Sequence, residues 1–480
     1  MEQIQKTGHD RRSFLRNAGL GSSVLALGPL LASVGATNAQ AAPMKDGKYD
    51  FDTPYNRIGW NNVKWDGSIA EYHMSHIVAG LGIADMDFRC APSITEALKK
   101  RVAHENWGYF DMGLSRGRAF RKGIIDWNRR RYGITNMHEG NLGIATGVHP
   151  GILACLRNYA PPGTKVLMAT PIYNGFYGDI KHSKTIANES LMKWVNGRYE
   201  IDWQDFENRM TPDTHVSILC NPQNPVGRVW SREELTHYGE LCLKHNILVI
   251  ADEIHCDFVT KGNKYTPFST LDNKDIVNNS ISLKSGSKTF SISGQMCGWF
   301  YSTNPEVFKR TSFENHADLN ELGMIAEEAA YAGGEEWANQ LVDYIDGNQQ
   351  YVHDYIRSNI PMIKVGNKPE GTYLHWLDCS QIEDRIGAKK KAEQANQMMR
   401  EKASKLGENY MGIRGIVGAR TITPEDIVTR WFAKNAYVMI EQGSKFGKGS
   451  EGHMRFNTAT SRKTLTAALD SMSRALKKLA

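Results

Sequence analysis

The chain has 480 residues, with 58 Lys and Arg against 52 Asp and Glu, and seven Cys. This length suits one two-lobed enzyme or two to three ordinary domains, and a hydrophobic content of 41% excludes a disordered or collagen-like protein. A net charge of +6 is a mild bias at this length, so it gives little support to nucleic-acid binding.

The first 41 residues have the pattern of an export signal. Arg11 and Arg12 open a twin-arginine pattern, a modestly apolar stretch follows at 18–36, and residues 39–41 (Ala-Gln-Ala) offer a small-x-small cleavage site. A basic N-terminal helix or a retained signal anchor is the alternative. Because the twin-arginine route carries folded proteins, we expect folding around a cytoplasmic cofactor, followed by export to the periplasm.

The Cys residues are scattered, odd in number and without C-x-x-C or Cys/His ligand spacing. We therefore predict neither a metal site nor a disulfide framework. Cys220 and Cys242 lie in apolar contexts, which is typical of core residues.

Four short β-branched or apolar runs, each ending in turn residues, alternate with helical patterns along the chain. The runs lie at 165–169, 216–220, 247–251 and 280–283. Continuous apolar runs favour parallel strands that are covered on both faces, and their alternation with helices predicts a doubly wound α/β fold. Ligands bind beyond the carboxyl ends of such strands, so chemistry is expected there.

Two helical segments indicate the domain organisation. Residues 231–245 begin with a capping box, and residues 335–359 repeat large apolar side chains at three- and four-residue steps. We interpret the second segment as the connection between two lobes. The predicted parts are the signal at 1–41, an N-terminal arm with part of the small domain at 42–90, a large ligand-binding domain at 91–335, and the linking helix with the small domain at 336–480, including an insertion at about 383–430.

Four polar motifs follow these runs or come late in the chain. They lie at 221–227, 252–255, 285–290 and 455–457. Each alone is weak, because an Asn-Pro turn, an Asp helix cap and a surface Lys are all common. Their order and spacing together are the informative feature.

In this order the motifs resemble the fold-type-I, pyridoxal 5'-phosphate (PLP) enzymes of the aminotransferase class I/II superfamily, and within it the cystathionine β-lyase (C–S lyase) branch. The resemblance runs from residue 49 to the C-terminus, with further branch patterns at 83–88, 107–109, 370–374 and 376–378. It implies a large domain with a mainly parallel sheet, a smaller α/β domain, PLP as cofactor and a homodimer with shared active sites.

The resemblance assigns roles that also make chemical sense. Lys288 is the candidate amine that holds the cofactor and then moves the proton at the substrate Cα. Asp252 is placed to keep the pyridine nitrogen protonated. By resemblance, Tyr173 stacks on the ring. Asn224 hydrogen-bonds the ring hydroxyl, and its bond to Pro225 is a candidate for the cis isomer.

The cofactor phosphate requires N–H groups at a helix start and nearby hydroxyls. The candidate residues for this cradle are Gly147, Val148 and His149, with the hydroxyls of Ser285 and Ser287. Tyr109 resembles the residue that a neighbouring subunit donates to the phosphate.

Two residues are candidates for substrate binding. Arg455 resembles the fork that holds the substrate α-carboxylate by two parallel hydrogen bonds, and Ala84 lies in one of the branch patterns. His255 stands where many aminotransferases have Tyr, and it either tunes the cofactor or simply packs.

Several substrate-facing positions depart from the branch pattern. Ser291 replaces a usual Asn, residues 441–442 (Glu-Gln) replace a Met-Pro or similar pair, and His149 replaces a small apolar residue. The cofactor set is kept and the substrate-facing set is altered, which leaves two reactions open.

The leading prediction is an exported, homodimeric C–S β-lyase that converts S-substituted cysteines to thiol, pyruvate and ammonia. The alternative is a periplasmic aminotransferase acting on an amino acid or on a side chain of a secreted peptide or siderophore. A PLP-binding regulator without chemistry is disfavoured by the joint presence of Lys288, Asp252 and Arg455. A dinucleotide-binding dehydrogenase is excluded, because its glycine-dense candidate at 19–28 lies inside the signal.

Overall fold

The computed structural model describes residues 44–316, 319–401 and 421–479. The predicted export signal at 1–41 and the part of the predicted insertion at 402–420 lie outside the described residues. Residues 388–401 of that insertion are helical.

We number the strands of the described residues in chain order. They are β1 Met44–Lys45, β2 Lys48–Tyr49, β3 Ala79–Gly80, β4 Leu142–Ala145, β5 Lys165–Thr170, β6 Ile186–Leu191, β7 Lys193–Val195, β8 Arg198–Glu200, β9 Thr214–Cys220, β10 Leu248–Asp252, β11 Ser280–Lys284, β12 Gly298–Tyr301, β13 Leu374–Asp378, β14 Val438–Met439, β15 Glu441–Gln442 and β16 His453–Asn457.

The α-helices are named in the same way. They are α1 Ser68–Tyr72, α2 Pro92–Val102, α3 Ser115–Tyr132, α4 Val148–Tyr159, α5 Gly175–His182, α6 Trp203–Asn208, α7 Arg232–Lys244, α8 Lys274–Asn278, α9 Gly286–Thr289, α10 Pro305–Glu314, α11 Glu321–Gly333, α12 Glu335–Asn359, α13 Ser380–Ile386, α14 Pro424–Asn435 and α15 Arg462–Lys477. Short helical turns lie at Val63–Gly67, Glu139–Asn141, Phe268–Thr270, Ser293–Gln295 and Gly443–Phe446.

A seven-stranded sheet lies within the predicted large domain, in the order β4-β12-β11-β10-β9-β5-β6. The five strands from β11 to β6 run parallel, and β12 is antiparallel to both of its neighbours. The four predicted strands are β5, β9, β10 and β11, and their residues are almost entirely buried, as expected for strands with both faces covered. The predicted α/β fold with a mainly parallel sheet is confirmed.

A second, antiparallel sheet is formed by β13-β16-β15, with β16 in the middle, in the part of the chain predicted as the small domain. One hydrophobic cluster joins residues of the N-terminal arm, such as Leu81, to side chains beyond residue 350, such as Val352 and Leu469. The helix predicted at 335–359 is α12, at the expected bounds. Its role as a connection between two domains, and the division into those domains, remain predictions.

Helix α7 begins where the capping box predicted it. The Ser231 hydroxyl accepts a hydrogen bond from the Glu234 N–H at 3.1 Å, and the Glu234 carboxylate accepts from the Ser231 N–H at 2.8 Å. These reciprocal bonds satisfy two N–H groups that the helix itself leaves without partners.

The seven Cys are all free thiols, and six of them are buried. Burial raises the pKa of the Cys90 thiol to about 11, and the pKa of Cys256 to about 12, so these two are weak nucleophiles. None of the helices in the described part of the chain is both long enough and apolar enough to cross a membrane.

Candidate active site

A cavity of about 370 Å³ opens beyond the carboxyl ends of the central strands. It lies where parallel α/β sheets place their ligands, because β9, β10 and β11 all end at this edge. The predicted site residues that line it are Ala84, Gly147, Val148, His149, Tyr173, Asn224, Asp252, His255, Ser287 and Lys288.

Lys288 lies in the single turn α9, directly after β11. Its Nζ donates a hydrogen bond to the Ala84 carbonyl oxygen at 2.9 Å. Burial, and next the positive charge of Arg455, lower the pKa of the amine to about 8, although Asp85 and Asp252 act in the opposite direction. An amine with this pKa exists in its neutral, nucleophilic form far more often than a surface lysine does.

Asp252 is the last residue of β10 and is only 4% exposed. Its carboxylate accepts the Ile254 N–H at 3.1 Å. Burial raises the pKa of Asp252 to about 6, while this hydrogen bond and the charges of His149 and Lys288 lower it. A desolvated carboxylate of this kind favours a cationic partner, such as a protonated ring nitrogen.

His149 links two other side chains at the cavity wall. Its Nδ1 lies 2.7 Å from the Asp179 carboxylate, and its Nε2 lies 3.3 Å from the Tyr173 hydroxyl. The hydrogen bond and charge of Asp179 outweigh desolvation and raise the pKa of His149. Asp179 was not predicted, because nothing in the sequence distinguishes it from an ordinary helical Asp in α5.

The N-terminus of α4 opens onto the cavity at Gly147, Val148 and His149. Gly147 has a φ of +145°, a backbone conformation that residues with a side chain rarely adopt. The facing strand approaches closely, since a Cβ at Gly298 would lie 2.9 Å from the Gly147 carbonyl carbon. The first-turn N–H groups of a helix have no acceptors within the helix, so this end can hold an anion.

Two predicted phosphate contacts are not brought to this cavity. The Ser285 hydroxyl is buried, 2.7 Å from the Cys297 carbonyl oxygen and 2.9 Å from the Glu327 carboxylate, and it does not line the cavity. Tyr109 is fully exposed, away from the cavity lining. Their phosphate roles remain predictions. Glu327, which was not predicted, carries a pKa that burial raises to about 7.

Arg455 lies in β16, the middle strand of the small sheet, and is 3% exposed. Its Nη1 donates to Asn224 Oδ1 at 3.3 Å, and its Nη2 donates to the Gly82 carbonyl oxygen at 2.8 Å and to Glu441 Oε2 at 3.2 Å. The bond from Asn224 to Pro225 is cis, as the resemblance suggested. The sequence marks Glu441 only as a departure from the branch pattern and does not predict its ion pair with Arg455.

His255 is 2% exposed and packs edge-on against Tyr373, with ring centroids 5.5 Å apart. Burial, and next the charges of Lys288 and Arg455, lower the pKa of His255 well below its usual value, so the ring is neutral. His255 lines the cavity and also packs against Tyr373, so tuning of the cofactor and simple packing both remain predictions.

These donors fit PLP on their own chemistry. The amine of Lys288 can hold the aldehyde carbon, Asp252 can pair with the ring nitrogen, and the N-terminus of α4 can bind the phosphate. Tyr173 supplies an aromatic face in the same cavity.

The fold and this donor set define a PLP-dependent enzyme of fold type I. The family model "Aminotransferase class I and II" matches residues 76–472, and the chain belongs to that family.

Similar proteins align with most of the chain, both in sequence and in structure. Cystathionine beta-lyase PatB of Bacillus subtilis is 31% identical over 435 residues, covering 89% of this chain and 100% of PatB. Among solved structures, cystalysin of Treponema denticola, which contains PLP, is 26% identical with a TM-score of 0.76, covering 90% of this chain and 100% of cystalysin. A PLP-bound putative aminotransferase of Clostridium difficile is 28% identical with the same TM-score of 0.76, covering 89% of this chain and 100% of that one.

Proposed function

We propose that the protein is a C–S β-lyase that releases thiol, pyruvate and ammonia from S-substituted cysteines. The observation that carries the proposal is the 31% identity to a cystathionine beta-lyase over that enzyme's full length, joined to a cavity that holds Lys288, Asp252 and Asn224 together.

The chain's own residues supply the steps of such an elimination. When bound, PLP supplies the electron sink that stabilises the negative charge left at Cα. Lys288 in its neutral form removes the Cα proton, and the Cβ–S bond then breaks with both electrons leaving on sulfur. Arg455 binds and orients the carboxyl end of the substrate, and Asp252 holds the proton of the ring nitrogen. One water is consumed as pyruvate and ammonia form.

Transamination is the second candidate function. It begins with the same proton transfer at Cα, so Lys288, Asp252 and Arg455 would serve it equally well. Ser291 is the departure from the lyase pattern that motivates it, because a bulky amino-group donor would require a remodelled substrate entrance. Its hydroxyl accepts the Met86 N–H at 3.1 Å, two residues after the cavity-lining Ala84.

The two reactions separate in one assay. Purified holoenzyme is incubated with an S-alkyl cysteine, with and without an added keto acid, and thiol and pyruvate are measured. The lyase predicts thiol release that does not depend on the keto acid. Activity that requires an amino acceptor would contradict it and support the transaminase.

We further propose that the protein is exported by the twin-arginine machinery to the periplasm and acts as a homodimer, with Tyr109 reaching the partner's phosphate site. The pattern at Arg11 and Arg12 supports export, and the full exposure of Tyr109 suits a residue used across an interface. Cell fractionation tests export: replacing both arginines by Lys should leave the protein in the cytoplasm, and unchanged periplasmic recovery would contradict it.

A further inference from the structure

The guanidinium of Arg455 is already occupied by its own chain. Its two Nη2 protons reach the Gly82 carbonyl oxygen and the Glu441 carboxylate, and Nη1 reaches Asn224. The Phe446 ring covers the group, with its centroid 4.9 Å from the Arg455 central carbon. Of the three guanidinium nitrogen atoms, only the buried Nε has no acceptor among the described residues.

The charge of Arg455 is compensated as well. Glu441 Oε2 lies 3.2 Å from Nη2, and the two side chains are only 6% and 4% exposed. The second oxygen of Glu441 accepts a hydrogen bond from Lys445 Nζ at 2.7 Å, and Lys445 is one-third exposed. Because both side chains of the Arg455–Glu441 pair are desolvated, water and salt weaken the attraction between their charges only a little.

A substrate carboxylate would have to compete with Glu441 for Arg455. A two-point carboxylate fork needs two free parallel N–H groups, but both Nη2 protons are engaged. The two N–H groups left over, one on Nε and one on Nη1, do not form such a parallel pair. Beside a neutralised guanidinium they suit a neutral carbonyl oxygen better than a second anion.

We propose that Glu441 is a specificity-determining residue, which lowers the preference for a free α-carboxylate and admits substrates whose carboxyl group is an amide, as in a peptide-linked cysteine. This inference rests on the proposed function for its assignment of Arg455 to the substrate carboxyl group.

The test compares acid and amide forms of one ligand in the Glu441→Gln holoenzyme. The probes are 3-(benzylthio)propanoate and its amide, which lack the amino group and cannot react, and their inhibition constants are measured against S-benzyl cysteine or, by calorimetry, as direct dissociation constants. Removing the competing charge should raise the preference for the acid over the amide by about tenfold or more, as expected for a desolvated charge pair. A smaller rise would overturn the proposal.

Two matched variants define the cause. Lys445→Met removes the second cation that binds Glu441, so the Glu441 carboxylate then pairs with Arg455 alone. The preference for the acid over the amide should therefore fall below that of the wild type. Glu451→Gln removes an exposed charge nearby in sequence and should leave the preference unchanged. The preference is a ratio within one protein sample, so a partly unfolded variant does not imitate the effect.

The same experiment separates the two proposals. If S-benzyl cysteine is not converted but the calorimetric preference shifts with Glu441→Gln, the lyase reaction fails and the specificity role stands. If thiol is released but the preference is the same in both proteins, the lyase stands and the role of Glu441 is overturned.

Discussion

Lys288→Ala is expected to lose activity by at least about 10⁴-fold, for elimination and transamination alike. The variant removes the one amine in the described cavity lining, whose pKa is lowered to about 8 and which is placed to move the Cα proton. Thiol or keto-acid release by the purified variant is the measurement. An absorbance spectrum before and after borohydride treatment should also show that PLP no longer becomes fixed to the protein.

Lys309→Ala is the matched control, because Lys309 is an exposed residue of α10, away from the cavity lining. It should keep wild-type activity and remain fixed to PLP by borohydride. If Lys288→Ala retained more than about 1% of the wild-type rate, another group would have to act as the base and the assignment would be wrong.

Asp252→Asn is expected to lower the rate by about 10²- to 10³-fold and to weaken PLP binding. A neutral amide cannot hold the ring nitrogen in its protonated form. In the wild type, PLP uptake by the apoenzyme should weaken as the pH falls through about 6, because Asp252 becomes protonated below its raised pKa. The variant should lack that pH dependence, and a titration of the apoenzyme with PLP at several pH values measures both effects.

Asp272→Asn provides the comparison for Asp252, since its side chain is 93% exposed. It should bind PLP with wild-type affinity and pH dependence. An Asp252→Asn enzyme that binds PLP with the wild-type pH profile would show that the ring nitrogen does not depend on this carboxylate.

The sheet could be predicted because its strands are buried on both faces. The run at 247–251 is uninterrupted apolar, and the run at 216–220 is apolar except for Ser217, a local signal that needs no knowledge of the fold. The residues that follow these strands converge for the same topological reason, and this is why Asn224, Asp252 and Lys288 meet in one cavity.

The partners of the site residues could not be predicted in the same way. Asp179 reaches His149 from another helix, and Glu441 reaches Arg455 from a neighbouring strand, 14 residues away in sequence. Such contacts depend on strand register and side-chain direction, which no local pattern encodes. Ser285 shows the converse, because a motif position alone did not reveal that its hydroxyl faces Glu327.

The central claim, that this PLP enzyme eliminates rather than transaminates, is tested most directly by counting turnovers without an acceptor. Holoenzyme freed of keto acids is mixed with excess S-alkyl cysteine, and thiol and pyruvate are counted per active site. The lyase predicts many equivalents of both, formed in a ratio of about one to one because each elimination yields one of each. No thiol beyond about one equivalent per site would contradict it.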